Sequence, residues 1–110
     1  SESKIPSYPV EDFARVKNYG KVARHNSIIL VYTQNDLDIS RFAVVASKEI
    51  GTAVVRNRVR RRIKACLQEQ WKHINPGWDL IFYSRTAIIT ADYQEIEGAI
   101  KHLLLKAGVL

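Results

Sequence analysis

Between Arg56 and Lys64 the chain places six cationic side chains in nine positions, Arg56, Arg58, Arg60, Arg61, Arg62 and Lys64, with no acid among them. Guanidinium forks hold phosphate bidentately and stack on bases, so this spacing suits recognition of a polyanion rather than proton transfer. The run begins one turn after Thr52, a residue type that caps a helix by accepting a hydrogen bond from a free amide. A helix starting there turns its unpaired amides and positive dipole end toward the same anion, beside Arg56, Asn57 and Arg58. No other constellation competes with it. The lone Cys66 rules out an internal disulfide and a Cys-rich zinc site, and it reads as a small packing residue in a reducing compartment. His25, His73 and His102 share no ligand-like spacing, no Ser, His and Asp arrangement stands out, and Glu95 with Glu97 reads as a solvated helix face. The residues therefore give no self-contained active site.

These side chains must be carried by one folded unit. The chain has 110 residues, 46% of them hydrophobic and 25% charged, with five Gly and three Pro. That is the balance of a single globular domain spanning 1–110 and too small for a two-domain enzyme. Lys and Arg total 17 against 11 Asp and Glu, so once the six clustered bases are set aside the remainder is neutral. A concentrated positive charge on a neutral body points to an anionic polymer, because each phosphate contact releases condensed counterions. A solvated helix face and an acidic membrane surface are the alternatives on charge alone. No apolar run approaches the ~20 residues that span a bilayer, and the first residues lack the apolar core of a signal peptide. The expectation is a soluble, cytoplasmic protein with no membrane partner. The sequence contains no Met, so Ser1 is not expected to be the native start, and residues 1–8 are expected to be flexible.

Pro9, the acids Glu11 and Asp12, and Gly20 mark a short first helix in which Val10, Phe13 and Val16 repeat every three residues, with Tyr19 as a further candidate. Lys21 to Arg24 reads as a looser extended piece, followed by a buried strand at Ser27 to Thr33 and a second at Arg41 to Ser47. The short turn between those two strands predicts that they pair antiparallel. From the Thr52 cap a long helix runs to about His73. At ~100° per residue its apolar stripe holds Val55, Val59, Ile63, Cys66 and Leu67. Asn57, Arg58, Arg60, Arg61 and Lys64 fall on the opposite arc, with Arg62 at its margin. Arg56 projects into the apolar arc and is expected to be partly buried. Pro76-Gly77 ends the helix region, Trp78 to Tyr83 is a third strong strand, and Thr90 or Asp92 caps a last helix with Tyr93, Ile96, Ile100, Leu103 and Leu104 on its buried side. Trp71 and Trp78 read as packing residues. This order implies an α+β sandwich, a small mixed sheet packed against helices.

The string from Ser47 to Lys64, Ser-Lys-Glu-Ile-Gly-Thr-Ala-Val-Val-Arg-Asn-Arg-Val-Arg-Arg-Arg-Ile-Lys, resembles the signature of the bacterial ribonuclease P protein subunit. The likeness extends to Glu11-Asp-Phe13, Val16 and Gly20, to Leu30-Val-Tyr32 and to Asp79-Leu-Ile-Phe82, and so covers about residues 9 to 105. It implies a single-domain two-layer sandwich in αβββαβα order, with a left-handed βαβ crossover around the basic helix. It also implies a ribonucleoprotein role in tRNA processing: the protein component of an endoribonuclease whose catalytic RNA removes the 5′ leader of precursor tRNA. The hydrolysis would be magnesium-dependent, with the metal bound mainly by that RNA, and no obligate protein partner is expected. Residue by residue, Arg56, Asn57, Arg58, Arg60, Arg61 and Lys64 match the motif that faces the catalytic RNA, and Arg62 lies within it. Phe13, Tyr32 and Lys48 match the cleft for the single-stranded leader, where aromatic faces stack on bases with little regard to sequence.

The sequence departs from the family pattern at three places. Lys17 stands where the family carries a second aromatic, and Glu49 stands where a second base follows the Ser-Lys pair. Ser1 to Pro9 holds only Lys4 where the family has a basic segment. On residue type alone Phe13 and Tyr32 suit a core as well as a ligand surface. A noncatalytic ribosomal or assembly RNA-binding module would use the same basic helix. A protein-only metal nuclease would need clustered carboxylates or histidines, which the spacing does not supply.

Overall fold

The computed structural model describes residues 13–110. The expected flexible stretch 1–8 and the start of the first helix at Pro9 lie outside the described residues. Helix α1 covers Phe13–Tyr19, followed by strands β1 (Lys21–Arg24), β2 (Ile28–Gln34) and β3 (Arg41–Val45), helix α2 (Ala53–Gln70), strand β4 (Trp78–Ser84) and helix α3 (Tyr93–Ala107). The order is αβββαβα, as expected. Helix α2 starts where the Thr52 hydroxyl accepts the Val55 amide at 3.4 Å. Of the two caps considered for α3, Asp92 is used. Its carboxylate accepts the Glu95 amide while Glu95 accepts the Asp92 amide, each at 2.8 Å.

The four strands form one sheet in the order β1-β2-β4-β3. The pairing expected between the second and third strands therefore does not form, because β4 inserts between them. It runs antiparallel to β2, with Val31 opposite Ile81, and parallel to β3, with Ala43 opposite Ile81. The cause is burial: Leu80, Ile81 and Phe82 are all fully enclosed, and a strand apolar on both sides takes a central position. Lys21 to Arg24, read as a looser piece, is the edge strand β1, antiparallel to β2.

The two faces of the sheet are covered unequally. Ile28, Leu30, Phe42, Leu80 and Phe82 point to one face and form the main core with Val59, Ile63, Cys66 and Leu67 of α2 and Ile96, Ile100, Leu103 and Leu104 of α3. Large side chains buried this fully contribute about 1.5–3 kcal/mol each. Val55, Trp71 and Trp78 lie at the margin of this core, half-buried. Among the described residues the other face carries only α1, whose Val16 packs on Val31 and Ile81. Gly20 permits that approach: a Cβ there would stand 2.5 Å from the Val16 carbonyl oxygen and 2.8 Å from Val31 Cγ1.

Candidate nucleic-acid interface

The structure sorts the basic run into two groups, and Arg60, which the helical phase places on the outer arc, falls in the half-buried one. Asn57, Arg58, Arg61 and Lys64 are exposed, on the side of α2 opposite the buried Val59, Ile63, Cys66 and Leu67. Arg56, Arg60 and Arg62 are half-buried and do different work. Arg60 Nη1 donates to Asn57 Oδ1 at 2.6 Å, which orients both side chains along one exposed ridge. Arg62 Nη2 donates to the Ala91 carbonyl at 2.9 Å and ties α2 to the turn before α3. Arg56 projects toward the apolar arc as expected, and its enclosed Nε has no hydrogen-bond partner.

The expected leader-binding residues do not all come together. Phe13 packs, half-buried, on the α1-covered face, which also carries Ile29, Ala43, Val45 and Tyr83. Lys17 is exposed one turn further along α1, on the same side of that helix as Phe13. Lys48 is exposed in the single-turn 3₁₀ helix Lys48–Ile50, three residues beyond Val45, at the end of the sheet where Val45 pairs with Tyr83. Tyr32 does not join them. It pairs with Lys21 and Leu80 and points to the opposite face, packing at the margin of the main core. A shift of one residue along a strand reverses the face of every side chain, and here it is Val31 that lies on the α1 side.

Sequence reasoning missed three contributors to this half-covered face. Tyr83 supplies its second aromatic, and burial raises its phenol above the ordinary value. Arg24, exposed and paired with Ile29 across β1 and β2, sets a cation at the edge of the same floor. Asp79 is the third. Its carboxylate is fully buried and accepts from Arg15 Nη2 at 2.7 Å, from Arg41 Nε and Nη2 at 2.9 Å each, and from Asn35 Nδ2 at 2.8 Å. This cluster ties α1 to β4, β3 and the loop after β2, and so fixes the wall of the open face. The available signal was an acid inside an otherwise apolar strand, which must be paired when buried.

Cys66 is buried in the main core, where burial raises its thiol above the ordinary value and keeps it a protonated packing group. Among the described residues no three His, Cys, Asp or Glu side chains gather where they could hold a metal ion, and no helix is long and apolar enough to cross a membrane.

The fold recurs in known proteins. The solved Staphylococcus aureus RNase P protein superposes with a TM-score of 0.86 at 24% identity, over 97% of this chain and 98% of that one. The Thermotoga maritima RNase P protein gives a TM-score of 0.83 at 20% identity, over 91% and 96% of the two chains. Those likenesses establish the fold. The ribonuclease P protein component of Roseiflexus castenholzii is 33% identical over 101 residues, 91% of this chain and 83% of that protein. The corresponding protein of Clostridium botulinum strain Langeland is 35% identical over 100 residues, 90% of each chain. A family model described as Ribonuclease P matches residues 10–108, and with relatives a third identical along nine-tenths of its length the chain belongs to the ribonuclease P protein family.

Proposed function

We propose that this chain acts as the protein subunit of an RNA-based ribonuclease P. In this reading the exposed arc of α2 docks on the catalytic RNA, and the half-covered sheet face receives the 5′ leader of precursor tRNA during endonucleolytic removal of that leader. The observation that carries it is the separation on α2: Asn57, Arg58, Arg61 and Lys64 face solvent while Val59 and Ile63 on the same helix are 2% and 0% exposed. A rigid cationic ridge anchored by its own core can meet a folded RNA without reorganising. Phe13 and Tyr83 would stack on unpaired leader bases, with Lys17, Lys48 and Arg24 holding the backbone. Lys17 in place of an aromatic makes this floor more electrostatic than the family pattern, and Glu49 weakens the attraction next to Lys48.

Hydrolysis would rest with the RNA and its magnesium. Among the described residues the fully buried carboxylate of Asp79 is committed to Arg15, Arg41 and Asn35. The test is cleavage of precursor tRNA at moderate magnesium with the chain alone, a bacterial ribonuclease P RNA alone, and both together. The expected result is no cleavage by the chain alone and a faster, tighter reaction with both than with the RNA alone. An RNA reaction left unchanged by the chain would overturn the proposal and favour a noncatalytic RNA-assembly role.

A further inference from the structure

A cavity of about 330 Å³ lies at the end of the sheet, lined by Tyr19, Lys21, Tyr32, Gln34, Trp78 and Ala107 among others. None of the basic residues of α2 lines it, and neither Phe13 nor Tyr83 does. Its origin is the strand register together with the stop of α3. Lys21 pairs with Tyr32, and Gln34 pairs with Trp78, so these four side chains project from the face that α3 covers. Helix α3 ends at Ala107 because Gly108 turns left-handed at φ 76°, its amide closing on the Leu104 and Leu105 carbonyls. The last rows of the sheet therefore extend beyond the helix. Tyr32 and Trp78 stand 6.1 Å apart at 58° and remain half-buried as an aromatic wall. Tyr19 stands at the rim, 78% exposed, held there by the close approach of Gly20 to the backbone of Tyr32.

We infer that this cavity binds one unpaired nucleotide, its base stacked on the aromatic wall and closed over by Tyr19, with its phosphate on Lys21. The volume is at the low end of the ~300–1,000 Å³ range of small-molecule sites, the scale of a single nucleotide rather than a duplex end. Three aromatic rings supply stacking that every base can use, and Gln34 supplies both a donor and an acceptor for a base edge. Lys21 is exposed and makes no ion pair with any described residue, which favours an anion and disfavours the methylated cations that aromatic cages otherwise attract. The site is separate from the leader-binding face proposed above, on the opposite side of the sheet. It does not depend on the catalytic RNA.

The chain has two tryptophans, so Trp71→Phe leaves Trp78 as the sole indole reporter inside the cavity. Titrating the full chain carrying this change with AMP, adenosine and a short unstructured oligoribonucleotide should give saturable quenching with all three. AMP should bind several-fold tighter than adenosine. Tyr19→Ala should weaken AMP binding about fivefold or more, and Lys21→Ala should abolish the preference for AMP over adenosine. Both substitutions are at exposed positions, and unchanged melting curves would certify their folds. Phe13→Ala should leave the titration unaltered. Absence of saturable quenching by AMP and the oligoribonucleotide would overturn the inference. Quenching indifferent to Tyr19→Ala, or equal affinity for AMP and adenosine in the unmodified site, would overturn it as well. None of these outcomes bears on precursor tRNA cleavage, which tests the ribonuclease P reading separately.

Discussion

The two faces of the sheet are built from alternate residues of the same strands and end with different physics. On one, Ile28, Leu30, Leu80 and Phe82 are fully buried beneath helices of 18 and 15 residues. On the other, Ile29, Ala43, Val45 and Tyr83 are only half-buried, and among the described residues the helix packed above them is the seven-residue Phe13–Tyr19. Among the described residues, what separates the closed core from the half-covered floor is therefore the extent of helix packed on each face, not strand composition. An apolar floor left half-open beside exposed cations suits a ligand that is flat and anionic, as unpaired RNA is.

The strongest way to break this comparison is to remove the cluster that holds the short helix in place. Asp79→Ala removes the carboxylate shared by Arg15 and Arg41, and breaking a buried ion pair costs about 3–5 kcal/mol. Denaturant unfolding should show that loss. A smaller loss, under about 1 kcal/mol, would mean that α1 is held by apolar packing alone. Next comes a matched pair of truncations. Ile63→Ala in the closed core should cost about 2–5 kcal/mol, whereas Ile29→Ala on the open floor should cost roughly half as much or less, since a half-buried side chain has less area to lose. Equal costs would erase the distinction between the faces.

Arg58→Ala with Arg61→Ala leaves both faces of the sheet untouched. Stability should stay within about 0.5 kcal/mol, while the slope of log affinity for the catalytic RNA against log salt should flatten by roughly two. An unchanged slope in the folded double variant would remove α2 from the RNA interface.

The elements that proved legible in the sequence are those whose information is local. Thr52, the phase of Val59, Ile63, Cys66 and Leu67, and the partial burial of Arg56 all follow from helical geometry over two or three turns. Asp92 with Glu95 is a local capping pair of the same kind. The strand order was not legible, because hydrophobic periodicity marks a strand without naming its partner, and β4 reaches β2 only after the whole of α2 has intervened. Tyr32 shows the limit at a single residue: its matched aromatic type carried no information about which face it occupies, and one register step decided that. Asp79 gathers Arg15 and Arg41 from 64 and 38 residues away, so only the assembled fold reveals its role. Tyr83 was hidden for the same reason, since nothing in Trp78 to Tyr83 states which face α1 leaves open.

The most direct test of the central claim compares precursor and mature tRNA binding by the enzyme reassembled with its RNA and either Phe13→Ala or Tyr32→Ala. Phe13→Ala should weaken precursor binding by ~1–3 kcal/mol, the worth of a lost stack, and leave mature tRNA near its original affinity. Tyr32→Ala, on the other face, should leave the ratio of the two affinities unchanged. Equal losses for precursor and mature tRNA with Phe13→Ala, or a collapse of the ratio with Tyr32→Ala instead, would contradict the assignment of the leader to the half-covered face.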